Sequence, residues 1–320
     1  MRIYLLVFLI SLCLSVAVGF AVVPLLKRVR AGQSILSYVK EHKSKEGTPT
    51  MGGVIFIFSA TAVALAFCGR GELRNMLVLC SAGVAYGVVG FLDDLLKVRG
   101  RKNEGLKPLQ KIGFQLVVAA IISIYLFVSQ KTRITIPFSS ITIDVKFGII
   151  PLYIFVFIAT TNCVNLTDGL DGLAAGVSYV YLAMLAVLML LQRGGGMLET
   201  DVILCISLVG AIVGFLLFNT NRATVFMGDT GSLSLGGFIS VISAFSGNVL
   251  FIPLFGVMFV VSGVSVILQV LYYKKTRKRI FLMAPFHHHL QMRGMSEGKI
   301  AVCYKIMTLA VGLACLSYYA

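Results

Sequence analysis

Five aspartates stand at the ends of apolar segments in this 320-residue chain: Asp93 and Asp94 in FLDDLLK, Asp168 and Asp171 in NCVNLTDGLDGL, and Asp229 in FMGDTGSL. A carboxylate beside a hydrocarbon layer is costly and is kept mainly where it does work. Asn and Asp oxygens with little local counter-charge suit Mg²⁺, which takes one or two carboxylates together with substrate phosphates and water. All five fall on one predicted side of a membrane. The first expectation is a bilayer-embedded enzyme with a cation site and a polyanionic substrate.

The elements that must position these residues are apolar. Hydrophobic residues make up 58% of the chain and charged ones 13%, against about 25% charged in a soluble domain, which excludes a soluble fold. Ten runs are long enough to span a bilayer: 3–26, 51–68, 76–92, 109–129, 147–163, 172–191, 201–218, 231–247, 249–272 and 301–319. The expected fold is an all-α integral membrane protein of about ten transmembrane helices, one domain over residues 1–320. The first run is too long for a signal peptide, and Lys27, Arg28 and Arg30 follow it while only Arg2 precedes it. By the positive-inside rule both termini are then outside. The predicted inner segments hold 20 Lys and Arg and the outer ones 7. Topology and anionic headgroups thus account for most of the net charge of +15, and nucleic acid is not an expected partner.

Between the fourth and fifth runs, Thr132, Ile134 and Ile136, then Ile141, Ile143 and Val145, alternate about Pro137–Ser140. That pattern predicts a small β-hairpin on the outer face. Gly83/Gly87, Gly172/Gly176 and Gly210/Gly214 suit close helix packing. The seven cysteines show no metal-ligand spacing and read as small apolar fillers. No internal repeat supports a cation-coupled transporter, and the acids sit at one interface rather than the midplane.

Each polar motif has an ordinary reading beside the chemical one. Asp93 and Asp94 with Lys97 a helical turn on fit a solvated helix end with an ion pair. Negative charge is unfavourable at a helix C-terminus, however, which argues for function. Adjacent acids also point about 100° apart, so at most one should face a pocket centre. Asn162–Gly172 reads as a turn by its Asn, Asp and Gly, yet it holds two Asn and two Asp with no Lys or Arg. Asp229 would be unremarkable as a helix N-cap, and Phe226 would serve as an interfacial ring or a platform for a flat one. Three consecutive histidines, His287–His289, invite a zinc reading. Neighbouring rings cannot all aim at one ion, and contact with a diphosphate suits them better. The basic stretch Lys274–Arg279 is either a stop-transfer cluster or a helix end that attracts lipid phosphate.

GTPTMGG (Gly47–Gly53), FLDDLLK, NCVNLTDGLDGL, FMGDTGSLSLGG and APFHHHLQMRGMSEGK stand in this order along the chain. In these stretches, and over nearly its full length, the chain resembles the polyprenyl-phosphate N-acetylhexosamine-1-phosphate transferases. The contiguous HHH and the PTMGG stretch favour the branch acting on muramoyl-pentapeptide over the one transferring GlcNAc-1-phosphate. That resemblance implies a bacterial inner-membrane enzyme working at the cytoplasmic face. With Mg²⁺ it would take UDP-N-acetylmuramoyl-pentapeptide and undecaprenyl phosphate to lipid I and UMP. It implies Asp229 as metal ligand with Asn165 as a second, supported by Asp168. Asp93 would orient the lipid phosphate, or take its proton, with Asp94 and Lys97 beside it. Gly169, Leu170, Asp171, Asn219 and Phe226 would form the uridine pocket, with Lys45 nearby. His288 would act on the diphosphate, with His287 and His289 holding it. Membrane lipids are further partners, and the sequence leaves a homodimer open.

Overall fold

The computed structural model describes residues 2–28, 47–69, 71–100, 105–139, 141–193, 199–220 and 222–320. Lys45 lies outside the described residues. In lipid every backbone polar group must be satisfied within its segment, so the apolar runs fold as helices. These are α1 (Arg2–Arg28), α2 (Gly53–Ala66), α3 (Leu73–Gly100), α4 (Pro108–Val128), α5 (Ile149–Thr167), α6 (Leu173–Arg193), α7 (Thr200–Asn219), α8 (Gly228–Phe245), α9 (Ile252–Phe255), α10 (Val257–Thr276), α11 (Phe286–Met292) and α12 (Glu297–Leu316). Strands β1 (Arg133–Thr135) and β2 (Thr142–Asp144) form the expected hairpin, with Arg133 opposite Asp144 and Thr135 opposite Thr142.

Every expected span overlaps a helix, and eight helices among the described residues are long and apolar enough to cross a membrane. The other two differ in kind. α2 has only 14 residues. α8 carries four serines inside its apolar run, and all its residues from Thr230 to Phe245 are buried. It is the core of the bundle rather than a lipid-facing span.

Three boundaries correct the sequence reading. The expected span 249–272 is broken into a 3-10 turn (Val249–Phe251), α9 and α10, because Pro253 starts a new helix and Gly256 separates it from the next. α3 runs on to Gly100, so Asp93, Asp94 and Lys97 lie within a helix. α5 runs on to Thr167 and absorbs most of the expected 162–171 loop. There the Asn162 amide and the Thr167 hydroxyl bond back to the carbonyls of Ile158 and Cys163 at 2.8 Å each, which keeps polar side chains compatible with the helix.

Two glycine seams set the packing. Gly83, Gly87 and Gly90 on α3 meet Phe238, Ser234 and Asp229 on α8; the α8 numbers fall as the α3 numbers rise, so the pair is antiparallel. Gly210 and Gly214 on α7 lie against the carbonyls of Phe8 and Leu12 on α1. There Ser11 donates to the Ser207 carbonyl at 2.6 Å and Ser15 to the Ala211 carbonyl at 2.7 Å, so α1 and α7 are parallel. The Tyr319 hydroxyl accepts from the Phe138 amide at 2.9 Å, and Thr200 donates to Glu72 at 3.0 Å. Together these contacts put both termini and the hairpin at one end of the bundle and the aspartate motifs at the other.

Candidate active site

The antiparallel α3–α8 seam brings the end of one helix to the start of the other. A Cβ at Gly90 would overlap the Asp229 carbonyl, so the backbones touch directly beside the carboxylates. Asp94, 1% exposed, accepts from the backbone amides of Asp229 at 3.2 Å and Thr230 at 2.9 Å, and from the Thr230 hydroxyl at 2.7 Å. It supplies the negative charge and acceptors that a helix N-terminus lacks. Asp229 is therefore not the cap: Met227 holds the N-cap position and Asp229 lies in the first turn. Asp93, one position earlier on α3, makes different contacts but also turns its carboxylate toward Asp229, so both adjacent acids face the cluster, not one of them as the helix spacing suggested. It accepts from the Leu106 amide at 2.8 Å and pairs with Lys97 at 2.6 Å.

Asp229 is the hub. Its Oδ2 takes the ammonium groups of Lys97 at 2.7 Å and Lys111 at 2.8 Å. Its Oδ1 takes the Asn165 amide at 2.7 Å, which also donates to Ser232 at 2.8 Å. Carboxylate oxygens of Asp93, Asp94 and Asp229 lie within 4.8 Å of one another. Asp168 caps the end of α5 and faces the same charges. Burial, then the carboxylates of Asp229, Asp94 and Asp171, raise its pKa well above the usual carboxylate range.

The flanking motifs hold this hub in place. The Phe226 amide donates to the Pro49 carbonyl at 2.8 Å, while the amides of Gly52 and Gly53 donate to the carbonyls of Phe226 and Met227 at 2.9 and 3.0 Å. The PTMGG turn is thus spliced onto the chain entering α8. Gly228 has φ of +72°, and a Cβ there would strike Asp94 and Thr50, so only glycine fits the turn into α8. Asp171 accepts from the Ala223 amide at 3.0 Å. Asn219 accepts from the Gly172 amide at 3.2 Å and donates to the Val225 carbonyl at 3.0 Å. These two side chains brace the loops, and Leu170 is buried beneath them. The Phe226 side chain is half-buried.

On α11 the His287 and His288 rings lie together, centroids 4.4 Å apart, while His289 turns to other partners. His289 accepts from the Leu282 amide at 3.1 Å and stacks on Phe286 with ring centroids 5.8 Å apart. His288 pairs through Nδ1 with Gln291 at 3.1 Å. His287 is fully buried, and among the described residues neither ring nitrogen has a hydrogen-bond partner; burial, then His288, push its pKa down to about 3. A Cβ at Gly169 would meet the Nε2 atoms of both His287 and His288, so this glycine lets the histidine segment close over the α5–α6 turn.

The sequence reading missed Lys111, Ser232 and the α4–α5 brace, in which Gln115 accepts from the Asn162 amide at 2.7 Å. Lys111 left one signal: a cation in the first turn of an apolar helix opposes the helix dipole and needs a partner.

A helical membrane bundle with carboxylates and lysines gathered at one end has the design of a sugar-phosphate transferase. The chain matches the glycosyl transferase family 4 model over residues 76–247, more than half its length. Residues 45–57 match the phospho-N-acetylmuramoyl-pentapeptide-transferase signature 1. A Clostridium perfringens protein named phospho-N-acetylmuramoyl-pentapeptide-transferase is 41% identical over 301 residues, 94% of this chain and 93% of its own. Proteins of that name from Caldanaerobacter subterraneus (37%, covering 94% of each chain) and Desulfitobacterium hafniense (38%, covering 97% and 96%) agree. The chain belongs to the phospho-N-acetylmuramoyl-pentapeptide-transferases. Neither the GlcNAc-1-phosphate branch nor a transporter is favoured.

Proposed function

We propose that this chain transfers phospho-N-acetylmuramoyl-pentapeptide from its UDP-activated form to undecaprenyl phosphate, giving lipid I and UMP in a Mg²⁺-dependent step of peptidoglycan synthesis. The observation that carries the reading is the Asp93–Asp94–Asp229 cluster, with oxygens within 4.8 Å of one another and two lysines on Asp229. An all-oxygen donor set that already attracts cations fits Mg²⁺. Asp229 would hold the ion, with Asn165 as the second ligand and Asp93 beside them. Bound there, it would neutralise diphosphate charge and make UMP a better leaving group.

The protein's own groups do the positioning on which phosphoryl transfer depends. Asp94 fixes the start of α8, and Asp93 orients the lipid phosphate. Phe226 stacks on the uracil, and His288 contacts the diphosphate. A lipid phosphate is largely dianionic at neutral pH. Its oxygen therefore attacks the β-phosphorus directly, forming the new P–O bond as the bond to the UMP oxygen breaks, without an aspartyl-phosphate. The reading places the cleft at the cytoplasmic face of a bacterial inner membrane and both termini outside. The basic residues Lys27, Arg28, Lys274, Lys275, Arg277, Lys278 and Arg279 at the cleft end support it. It also includes a homodimer, which the mass of the purified protein in detergent would test.

Purified protein given undecaprenyl phosphate should release UMP from UDP-N-acetylmuramoyl-pentapeptide, not from UDP-GlcNAc, and should stop on chelation until Mg²⁺ is restored. Equal turnover of UDP-GlcNAc would defeat the substrate assignment. A stoichiometric burst of UMP without lipid acceptor, with sugar-phosphate retained on the protein, would overturn the single displacement.

A further inference from the structure

The two lysines on Asp229 are arranged in a way the transfer reaction alone does not require. Both ammonium groups lie on the same oxygen, Oδ2, at 2.7 and 2.8 Å. A Mg²⁺ ion bonds oxygen at about 2.0–2.1 Å, and an oxygen holding two ammonium donors cannot also take the ion. The other oxygen is committed to Asn165. The lysines come from different helices, α3 and α4, and their side chains are 16% and 18% exposed, so neither is sealed into the core. Lys97 would keep a second carboxylate, Asp93, at 2.6 Å. Lys111, among the described residues, ion-pairs with Asp229 alone.

We propose that Lys97 and Lys111 form a built-in counter-ion pair that occupies Asp229 in the cation-free protein and yields it to a divalent cation. Lys111 is then released to bind a phosphate of the incoming nucleotide. Charge sets the order of events. The Asp93–Asp94–Asp229 cluster and its two ammonium groups sum to one negative charge, which repels a diphosphate. Adding a divalent cation makes it one charge positive and frees a donor. The cation therefore binds first and the nucleotide second. Lys111 is a competitor for the first event and a ligand for the second, so its removal should move the two affinities in opposite directions. A purely structural lysine would not do so. The inference rests on the cation site proposed above at Asp229.

The test is Mn²⁺ binding to the full-length, detergent-purified protein without nucleotide, followed by paramagnetic resonance, and then UMP binding at saturating Mn²⁺. Removing one of two unit charges in contact with the site should tighten Mn²⁺ binding by about tenfold or more in Lys111→Met. The same variant should weaken UMP by a similar factor, and Lys111→Arg should stay near wild type in both. Lys97→Met, measured in the same way, serves if Lys111→Met does not yield a monodisperse protein, and it should also tighten Mn²⁺. Unchanged or weaker Mn²⁺ binding in the variants, with wild type binding normally, would overturn the counter-ion pair while leaving the cation site standing. Absence of Mn²⁺ binding from wild type and variants alike would overturn the cation site and the pair together.

Discussion

At the hairpin end of the bundle, Gln192 and Asn248 exchange two amide hydrogen bonds of 3.1 Å each, and Glu72 receives Asn75 at 2.7 Å and Thr200 at 3.0 Å. At the opposite end, three carboxylates cluster and are met by two long lysine side chains. The first arrangement closes on itself, because most donors and acceptors there find a short neutral partner. The second concentrates like charge and is completed only by cations. Polar groups of the first kind hold helices together in a membrane; groups of the second kind mark where something from solution binds.

That contrast can be broken most sharply at Asp229. Asp229→Asn should lower turnover by about 10²–10³-fold, the loss typical of removing one preorganised electrostatic group, with an unchanged thermal midpoint in detergent. Near-normal turnover at saturating Mg²⁺ would break it. Next in size is the glycine seam. Gly90→Ala forces a methyl into the Asp229 carbonyl and should cost about 1–3 kcal/mol by overpacking, together with activity. Gly113→Ala on α4, where a Cβ meets nothing within 4 Å, should do neither, and unfolding in a denaturing detergent would compare them. A smaller effect is expected at the far end: Gln192→Leu should cost about 0.6–1 kcal/mol and leave turnover at 25 °C unchanged.

The subtlest expectation concerns pH. His287 has a folded pKa of about 3 against an ordinary value of 6.5, so the unfolded chain binds the extra proton between those values. Stability from this group is present above pH 6.5 and is lost as pH falls toward 3. Thermal midpoints at pH 5 and 7.5 should differ less in His287→Leu than in wild type. An equal difference would show that the buried imidazole is not what titrates.

What the sequence made legible was local. Apolar runs located the helices, and alternation about Pro137 located the hairpin. Loop-like composition misled where polar side chains turn inward: Asn162 and Asn165 read as a turn but lie on α5, where Asn162 bonds back to its own helix. The break at Pro253 and Gly256 was readable from residue type but was hidden by the apolarity around it. The contacts that build the site were not readable. Asp94 capping α8 and Lys111 reaching Asp229 join positions 136 and 118 residues apart, and nothing in one chain's composition announces such a pairing. Motif spacing located the acids, but only packing shows which of them is committed to holding a helix.

The parallel pairing of α1 with α7 also sets a timetable. Thr200 follows Arg28 by 172 residues; at roughly 5–20 residues per second, about 10–35 s of synthesis separate the two helices. Over that interval Ser11 and Ser15 have no α7 carbonyls to bond, and the first helix must wait in the bilayer with its seam open to lipid. The serine-rich α8 meets no such wait. Its neighbours α3 and α5 are made before it, so the slot that receives it exists when it leaves the ribosome, and this sparingly apolar helix never needs to stand alone in lipid.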